Sequence, residues 1–246
     1  MSAPCVVVTG ASDGIGAAVA RRLLARGEPV LAVARRAERL RALCADAPHA
    51  HAVAADLERP EAVEAVARAA KARFGAVRGF VHCAGFNRLA PLSLADAAEA
   101  QRLYALHALF PLRFMGWLGK APNHADGAAC VLVSSLACRL GAAGNAAYAA
   151  AKGAVEALVR AAAAELAARG VRVNAVVPGF VETAMAEATW RALGAAPEQV
   201  AAERARYPLG FGAPEQVADA IDFLLGRAAS WITGQCLVVD GGRSLA

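Results

Sequence analysis

Short apolar runs and longer amphipathic ones take turns along this chain. The runs at residues 5–9, 30–34, 51–54, 79–83, 129–134, 171–176 and 236–239 are near-continuous in Val, Leu, Ala and Cys. Segments this uniformly apolar suit strands covered on both faces. Between them, the spacing of apolar positions predicts helices at about 14–26, 37–44, 60–74, 94–118, 147–169 and 214–226. Pro60 and Pro214 fit first helical turns, and Gly27 and Gly170 fit the stops after last turns. Such alternation, with right-handed crossovers, predicts an α/β fold: a doubly wound parallel sheet of about seven strands with helices on both faces. One stretch breaks the rhythm. Residues 178–212 form a long irregular segment that carries Trp190, Leu193, Tyr207 and Phe211, and segments of that length are usually functional or disordered. We expect a substrate lid at about 183–212, within a single domain spanning 1–246.

Composition narrows the function. A chain of 246 residues can bury a substantial core. With 58% hydrophobic and 19% charged residues it reads as globular, not disordered. The formal charge of +5 is scattered, with no basic run, so neither a nucleic-acid partner nor a polybasic membrane patch is expected. The six cysteines include no C-x-x-C pair, and the five histidines form no ligand pattern, so no metal is expected. The opening MSAPCVVVTG enters a strand without a basic leader, and no apolar span reaches about 18 residues. A cytoplasmic protein is the expectation.

The candidate chemistry starts directly after the first strand, with T-G-A-S-D-G-I-G at residues 9–16. Gly10, Gly14 and Gly16 let the backbone turn sharply, approach a pyrophosphate and pack the helix on the sheet. Ser12, Asp13 and Ile15 complete the loop. A strand precedes it and an amphipathic helix follows, the context that dinucleotide binding requires. The second strand ends in V-A-R-R at 33–36. An NAD site would place an acid there for the ribose 2′-hydroxyl. Ala34 stands in that position and Arg35 follows. A guanidinium pairs with a 2′-phosphate through two hydrogen bonds, with Arg36 and the Ser12 hydroxyl placed to assist. NADP(H) is therefore preferred over NAD(H).

In N-A-A-Y-A-A-A-K, Tyr148 and Lys152 lie four apart, hence on one helix face. An ammonium ~4 Å from a phenol, at an effective dielectric near ~20, favours the phenolate by about 4 kcal/mol. That is worth roughly three pKa units, enough to bring a phenol toward neutrality as an acid–base group.

These features together resemble the short-chain dehydrogenase/reductase family. The spacing G-x-x-x-G-x-G matches it, and H-C-A-G at 82–85 resembles its N-N-A-G. Asp56 and Leu57 end the third strand where the family contacts adenine. Ser134 and Ser135 followed by Tyr148 and Lys152 match its catalytic pattern. P-G-F-V-E-T at 178–183 matches its nicotinamide loop, and I-T-G-Q-C-L-V-V-D-G-G at 232–242 its C-terminal signature. The matches cover almost the whole chain in the family's order. The resemblance implies a Rossmann-type domain in which Tyr148 exchanges a proton with a substrate oxygen. Lys152 would lower the phenol's pKa and hold the nicotinamide ribose, and Ser135 would bond the carbonyl. It implies cofactor contacts from the glycine loop, Arg35, Arg36, Asp56, Leu57, Cys83, Ala84, Gly85, Pro178, Gly179, Val181 and Thr183, and from Tyr148 and Lys152. A homotetramer is implied as well.

The expected reaction moves a hydride between nicotinamide and a small-molecule carbonyl or secondary alcohol. The likeness is greatest to 3-oxoacyl-[acyl-carrier-protein] reductases, with sugar or other alcohol dehydrogenases as the alternative. A catalytically silent NADP(H)-binding sensor is the reading from another class. Phe86, Asn87, Arg88, Leu136, Arg139 and Asn145 should line the pocket mouth, where an arginine would meet an anionic group. Two departures stand out: His82 and Cys83 replace the family's asparagines. His107, in A-L-H-A-L-F-P, takes the place of the asparagine that holds a relay water. An imidazole also bonds water; a packed core histidine is the competing reading.

Overall fold

The computed structural model describes residues 3–245; the expectation drawn from the start of the chain rests partly on residues 1 and 2, outside that range. Seven strands form one parallel sheet: β1 (Cys5–Thr9), β2 (Val30–Ala34), β3 (Ala50–Ala54), β4 (Val77–His82), β5 (His124–Val133), β6 (Arg172–Pro178) and β7 (Cys236–Val239). Their order is β3-β2-β1-β4-β5-β6-β7, a doubly wound parallel sheet of the kind the alternating pattern predicts. The helices are α1 (Gly14–Ala25), α2 (Ala37–Cys44), α3 (Ala62–Phe74), α4 (Ala97–Tyr104), α5 (Phe110–Leu118), α6 (Ala146–Leu166), α7 (Ala184–Ala192), α8 (Pro197–Ala205) and α9 (Pro214–Leu225).

The uninterrupted apolar strands follow from burial on both faces. All five residues of β1 and of β2 are buried. Because successive side chains point to opposite faces, Val7, Leu31 and Phe80 join one core with Val66, Phe114 and Val155. Val6, Val8 and Val81 join the other with Leu23, Ile221 and Leu224. The chain leaves β1 toward β2 on one side and returns to β4 on the other. The carboxyl ends of β1 and β4 therefore bound a crevice at the point where strand order reverses, the usual ligand position in open α/β sheets.

Two segments depart from the expected elements. The single helix expected at 94–118 is interrupted by a π-helical turn, Ala105–Leu109, between α4 and α5. Pro111 explains it, since proline has no N–H and its ring crowds the carbonyl four residues back. The Phe110 N–H reaches back five residues to the Ala105 carbonyl. The Leu106 carbonyl is left for a side chain, and His82 Nε2 donates to it at 3.0 Å. A carbonyl only accepts, so Nδ1 of His82 carries no hydrogen and accepts from the Thr9 hydroxyl at 2.9 Å. Thr9, His82 and the π turn are thus joined through the sheet.

The second departure lies at 178–212, which holds the short helices α7 and α8 instead of irregular chain. Thr183 caps α7 by accepting the Ala186 N–H at 3.3 Å, and Pro197 opens α8. Neither helix buries a residue, so no apolar period announces them. A smaller difference concerns Pro60, which precedes α3 instead of opening it. Its carbonyl accepts from Arg113 at 2.6 Å. Among the described residues no helix is long and apolar enough to cross a membrane, and no group of three or more His, Cys, Asp or Glu is arranged to hold a metal ion.

Burial holds the His82 imidazole far below its ordinary value, at about 3 instead of 6.5, with the Lys152 charge adding to the effect. The unfolded chain takes up a proton at this side chain that the folded chain refuses. This contribution to stability is complete above about pH 6.5 and is lost progressively as pH falls toward 3. Melting temperature should decline across that window, and His82→Asn should flatten the decline. An unchanged slope in the variant would show that His82 is not a source of acid sensitivity.

Candidate active site

The glycine loop is pressed into the crevice between β1 and β4. Gly10 has φ +68°, and a Cβ there would lie 2.8 Å from the Ala84 nitrogen. At Gly16 a Cβ would lie 2.4 Å from the Gly10 carbonyl oxygen. Neither position has room for a side chain, which explains glycine at both. Asp13 caps α1 by accepting the Gly14 N–H at 2.8 Å, so the positive end of that helix opens toward the crevice. Ile15 packs into the core beneath it. Thr183 reaches the loop from the far side; a Cβ on Gly14 would lie 3.1 Å from its methyl group.

The remaining expected cofactor residues lie at or just after the carboxyl ends of β3, β4 and β6. The Ala84 N–H donates to the Thr9 hydroxyl at 3.3 Å. Gly85 faces the His107 ring so closely that a Cβ would lie 2.4 Å from Cε1. The Cys83 thiol is pushed up to about 12 by burial and stays neutral. Leu57 is buried, and Asp56 accepts the Glu58 N–H at 3.2 Å. Pro178 ends β6, Gly179 packs on Tyr207 and Asp240, and Val181 pairs with Gly212.

At the rim of β2 the arginines are already engaged. Arg36 donates to the Ser12 hydroxyl from Nε and Nη2, at 3.2 and 3.0 Å, and to Asp13 at 3.0 Å. Arg39, which the sequence reading passed over, donates to the same Asp13 oxygen at 2.7 Å. Its signal was its place, one helical turn after Arg35 and Arg36. Arg35 stands apart, 3.7 Å from Glu58, a carboxylate that Arg102 already holds at 2.6 and 3.3 Å.

Ser134 and Ser135 follow β5 and divide the work. The Ser134 hydroxyl is buried and donates to the Lys152 carbonyl at 3.2 Å. Ser135 is half-buried, and its oxygen accepts the Ala137 N–H at 3.2 Å. Helix α6 presents Tyr148, Lys152 and Glu156 on one face, as their spacing of four requires. Lys152 Nζ donates to the Val133 carbonyl at 2.7 Å and lies 5.6 Å from the Tyr148 ring centre.

This geometry corrects the electrostatic expectation for the pair. The ammonium is anchored on the end of β5, so it does not bring the phenol toward neutrality. Burial pushes Tyr148 up to about 12, opposed by the nearby Ser135 hydroxyl, and the same burial pulls Lys152 down to about 8. Desolvation, which penalises whichever form carries charge, is the largest influence on both groups.

His107 sits in the π turn with no exposure. Its Nε2 donates to the Phe86 carbonyl at 3.0 Å, and its ring meets Tyr148 edge-on with centres 5.5 Å apart. Its Nδ1 is buried without a hydrogen-bond partner. Burial, with the Lys152 charge behind it, holds the imidazole well below its ordinary value. The ring is therefore neutral, packed against Tyr148 and with one unused lone pair. Glu156 was also missed. It accepts from Arg139 at 3.0 and 3.1 Å and from the Cys138 thiol at 3.3 Å. Arg139, which with Arg88 was a candidate to meet an anionic group, is held by Glu156.

Comparison with known proteins shows the family to which the chain belongs. The family model for enoyl-(acyl carrier protein) reductase matches residues 10–244. The chain is 39% identical over 248 residues to cis-4-hydroxycyclohexanecarboxylate dehydrogenase of Sinomonas cyclohexanicum, covering 96% of this chain and 94% of that one. It is 34% identical over 246 residues to the 3-oxoacyl-[acyl-carrier-protein] reductase FabG of Vibrio cholerae, with 96% and 95% covered. A solved actinorhodin polyketide ketoreductase with NADPH superposes at a TM-score of 0.90, with 27% identity and all of both chains covered. The chain belongs to the short-chain dehydrogenase/reductase family, a family of oxidoreductases that bind a nicotinamide cofactor.

Proposed function

We propose that this protein is an NADP(H)-dependent oxidoreductase acting on a carbonyl compound or secondary alcohol. The observation that carries the reading is the Tyr148 phenol, with the Ser135 hydroxyl and Lys152 beside it, at the crevice that the glycine loop closes. The backbone-tight glycines and the open end of α1 fit a pyrophosphate, and the exposed Arg35 fits a 2′-phosphate. Asp56, Leu57 and the 83–85 turn would border the adenosine half, and Pro178, Gly179, Val181 and Thr183 the nicotinamide half. Once bound, the cofactor supplies or takes up the hydride at the substrate carbon. Everything else falls to the side chains.

Tyr148, kept protonated by its burial, donates its proton to the carbonyl oxygen as that oxygen gains charge. The Ser135 hydroxyl donates a hydrogen bond to the same oxygen. Lys152 holds the ribose, and the unused His107 Nδ1 holds a water through which the phenol regains its proton. Trp190 of α7 packs on Phe180, which meets Phe211, and Arg204 of α8 lies over the same Phe211 ring, which supports the role of these helices as a substrate lid. Likeness to the Vibrio reductase puts a 3-oxoacyl thioester first in a substrate panel, followed by cyclic and sugar alcohols.

Three variants test these roles. Tyr148→Phe keeps the ring and removes the proton. It should remain folded and bind cofactor, while NADPH-dependent carbonyl reduction falls by roughly 10²–10⁴-fold. Turnover within about threefold of the parent would remove the phenol from the mechanism.

Arg35→Ala should weaken NADPH by about 1.5–3 kcal/mol, the worth of one charge-assisted contact, and leave NADH nearly unchanged. Equal losses for the two cofactors, by calorimetric titration, would mean that Arg35 does not meet the phosphate. For His107, turnover and melting temperature together separate relay from packing. His107→Asn should stay active, and His107→Leu should fold yet turn over slowly. A fully active Leu variant would leave His107 a packing residue.

A further inference from the structure

One carboxylate brackets Ser135 from both sides. Glu156 stands on α6 one helical turn beyond Lys152, with its side chain only 13% exposed. On the side before Ser135, its Oε1 lies 3.4 Å from the Ser134 hydroxyl, which it shares with the Lys152 carbonyl at 3.2 Å. On the side after Ser135, the same oxygen accepts from Arg139 Nε at 3.0 Å, and Oε2 accepts from Arg139 Nη2 at 3.1 Å. The Cys138 thiol, with one proton to give, stands 3.3 Å from Oε1 and 3.0 Å from the Ser135 carbonyl. Burial works against a charge on Glu156, yet the hydrogen bonds from Arg139 and Cys138 hold its carboxyl below the ordinary range. The group is therefore ionised at neutral pH.

From this arrangement we propose that Glu156 is a positioning residue: with Arg139 it clamps the turn at 134–139 onto α6 and sets where the Ser135 hydroxyl stands against Tyr148. The proposal rests on the reading that Ser135 and Tyr148 share one substrate oxygen. Ser135 has an extended backbone and opens a short helical turn, Leu136–Cys138. Its oxygen accepts the Ala137 N–H at 3.2 Å, which leaves the hydroxyl proton free to donate. Hydrogen bonds within so tight a turn are poorly aligned, so its place depends on contacts from outside. Those contacts run to Glu156 from the residues on either side of Ser135. Tyr148 and Glu156 lie on one face of α6, so the phenol and the clamp ride on the same rigid helix. Loosening the clamp frees Ser135 to move against Tyr148, while Lys152 keeps its own anchor on the Val133 carbonyl.

The opposing view is that Glu156 serves stability alone, in which case its loss lowers the melting temperature and leaves the contact between hydroxyl and phenol untouched. Glu156→Gln keeps the size of the side chain and removes its charge. One readout needs no turnover: the NMR signal of Cζ in isotope-labelled tyrosine. The chain has three tyrosines, and Tyr148→Phe identifies the signal from the site. Glu156→Gln should move the Tyr148 signal in the direction that Ser135→Ala moves it and leave those of Tyr104 and Tyr207 in place. The double variant Ser135→Ala/Glu156→Gln should show no movement beyond Ser135→Ala. With acetoacetyl-coenzyme A and NADPH, kcat of Glu156→Gln should fall about ten- to a hundredfold, the cost of a small misplacement, with KM and NADPH affinity within about threefold of the parent. The double variant should be no slower than Ser135→Ala, since effects that pass through one group do not add. An unmoved Tyr148 signal, or losses that add, would overturn the proposal. Should Glu156→Gln fail to fold, Arg139→Gln, altered at the exposed end of the clamp, carries the same comparisons. A parent that reduces no carbonyl compound defeats the proposed function, and the tyrosine signals still decide the role of Glu156.

Discussion

The Lys152 ammonium on the Val133 carbonyl, at 2.7 Å, is the contact on which the site depends. A cation with only 5% exposure must be satisfied or give up its proton. The last carbonyl of β5 satisfies it, and this fixes the rotation of α6 about its axis. The residues four positions to either side are then fixed too. Tyr148 is turned toward Ser135, and Glu156 toward Ser134, Cys138 and Arg139. Ser134 closes the same joint by donating to the Lys152 carbonyl. One helix face and one strand end thus define each other, and the side chains proposed to react sit at their junction.

The two histidines extend this junction to the glycine loop. Pro111 opens the α-helical ladder, the opened ladder exposes the Leu106 carbonyl, and His82 takes it. The turn so held carries His107, whose Nε2 takes the Phe86 carbonyl and whose ring fills the space that glycine at 85 leaves. Both rings are kept neutral by burial. A neutral imidazole has one donor and one acceptor. In His82 both are used, which ties β1, β4 and the π turn together. In His107 only the donor is used. The difference separates a structural histidine from one with capacity left for the site.

Much of this was legible in the sequence, and what was not has identifiable causes. The seven strands could be read because a sheet covered on both faces leaves no polar positions to confuse the pattern. Gly10 and Gly16 could be read because their reason is steric, and steric reasons leave a residue type behind. The π turn was missed although Pro111 was visible, because a proline says that a ladder breaks without saying which carbonyl is freed or what captures it. Helices α7 and α8 were missed because exposed helices rich in alanine carry no apolar period. Arg39 and Glu156 were within reach, being one turn from residues already chosen. The sign of the Tyr148 shift was out of reach, because spacing of four fixes a shared face and not the distance between two polar ends.

That sign bears on which form of the phenol the site holds. A phenol raised to about 12 beside an amine lowered to about 8 is a pair that desolvation has made reluctant to carry charge. Near neutral pH the phenol holds its proton, which is the form that carbonyl reduction consumes. Alcohol oxidation needs the opposite form, a phenolate able to take a proton, and the buried site resists producing it. Ser135 works against that resistance, since its hydroxyl favours the anion. The balance between burial and this one hydroxyl sets how readily the phenol yields its proton. Here burial outweighs the hydroxyl, and the phenol keeps its proton near neutral pH.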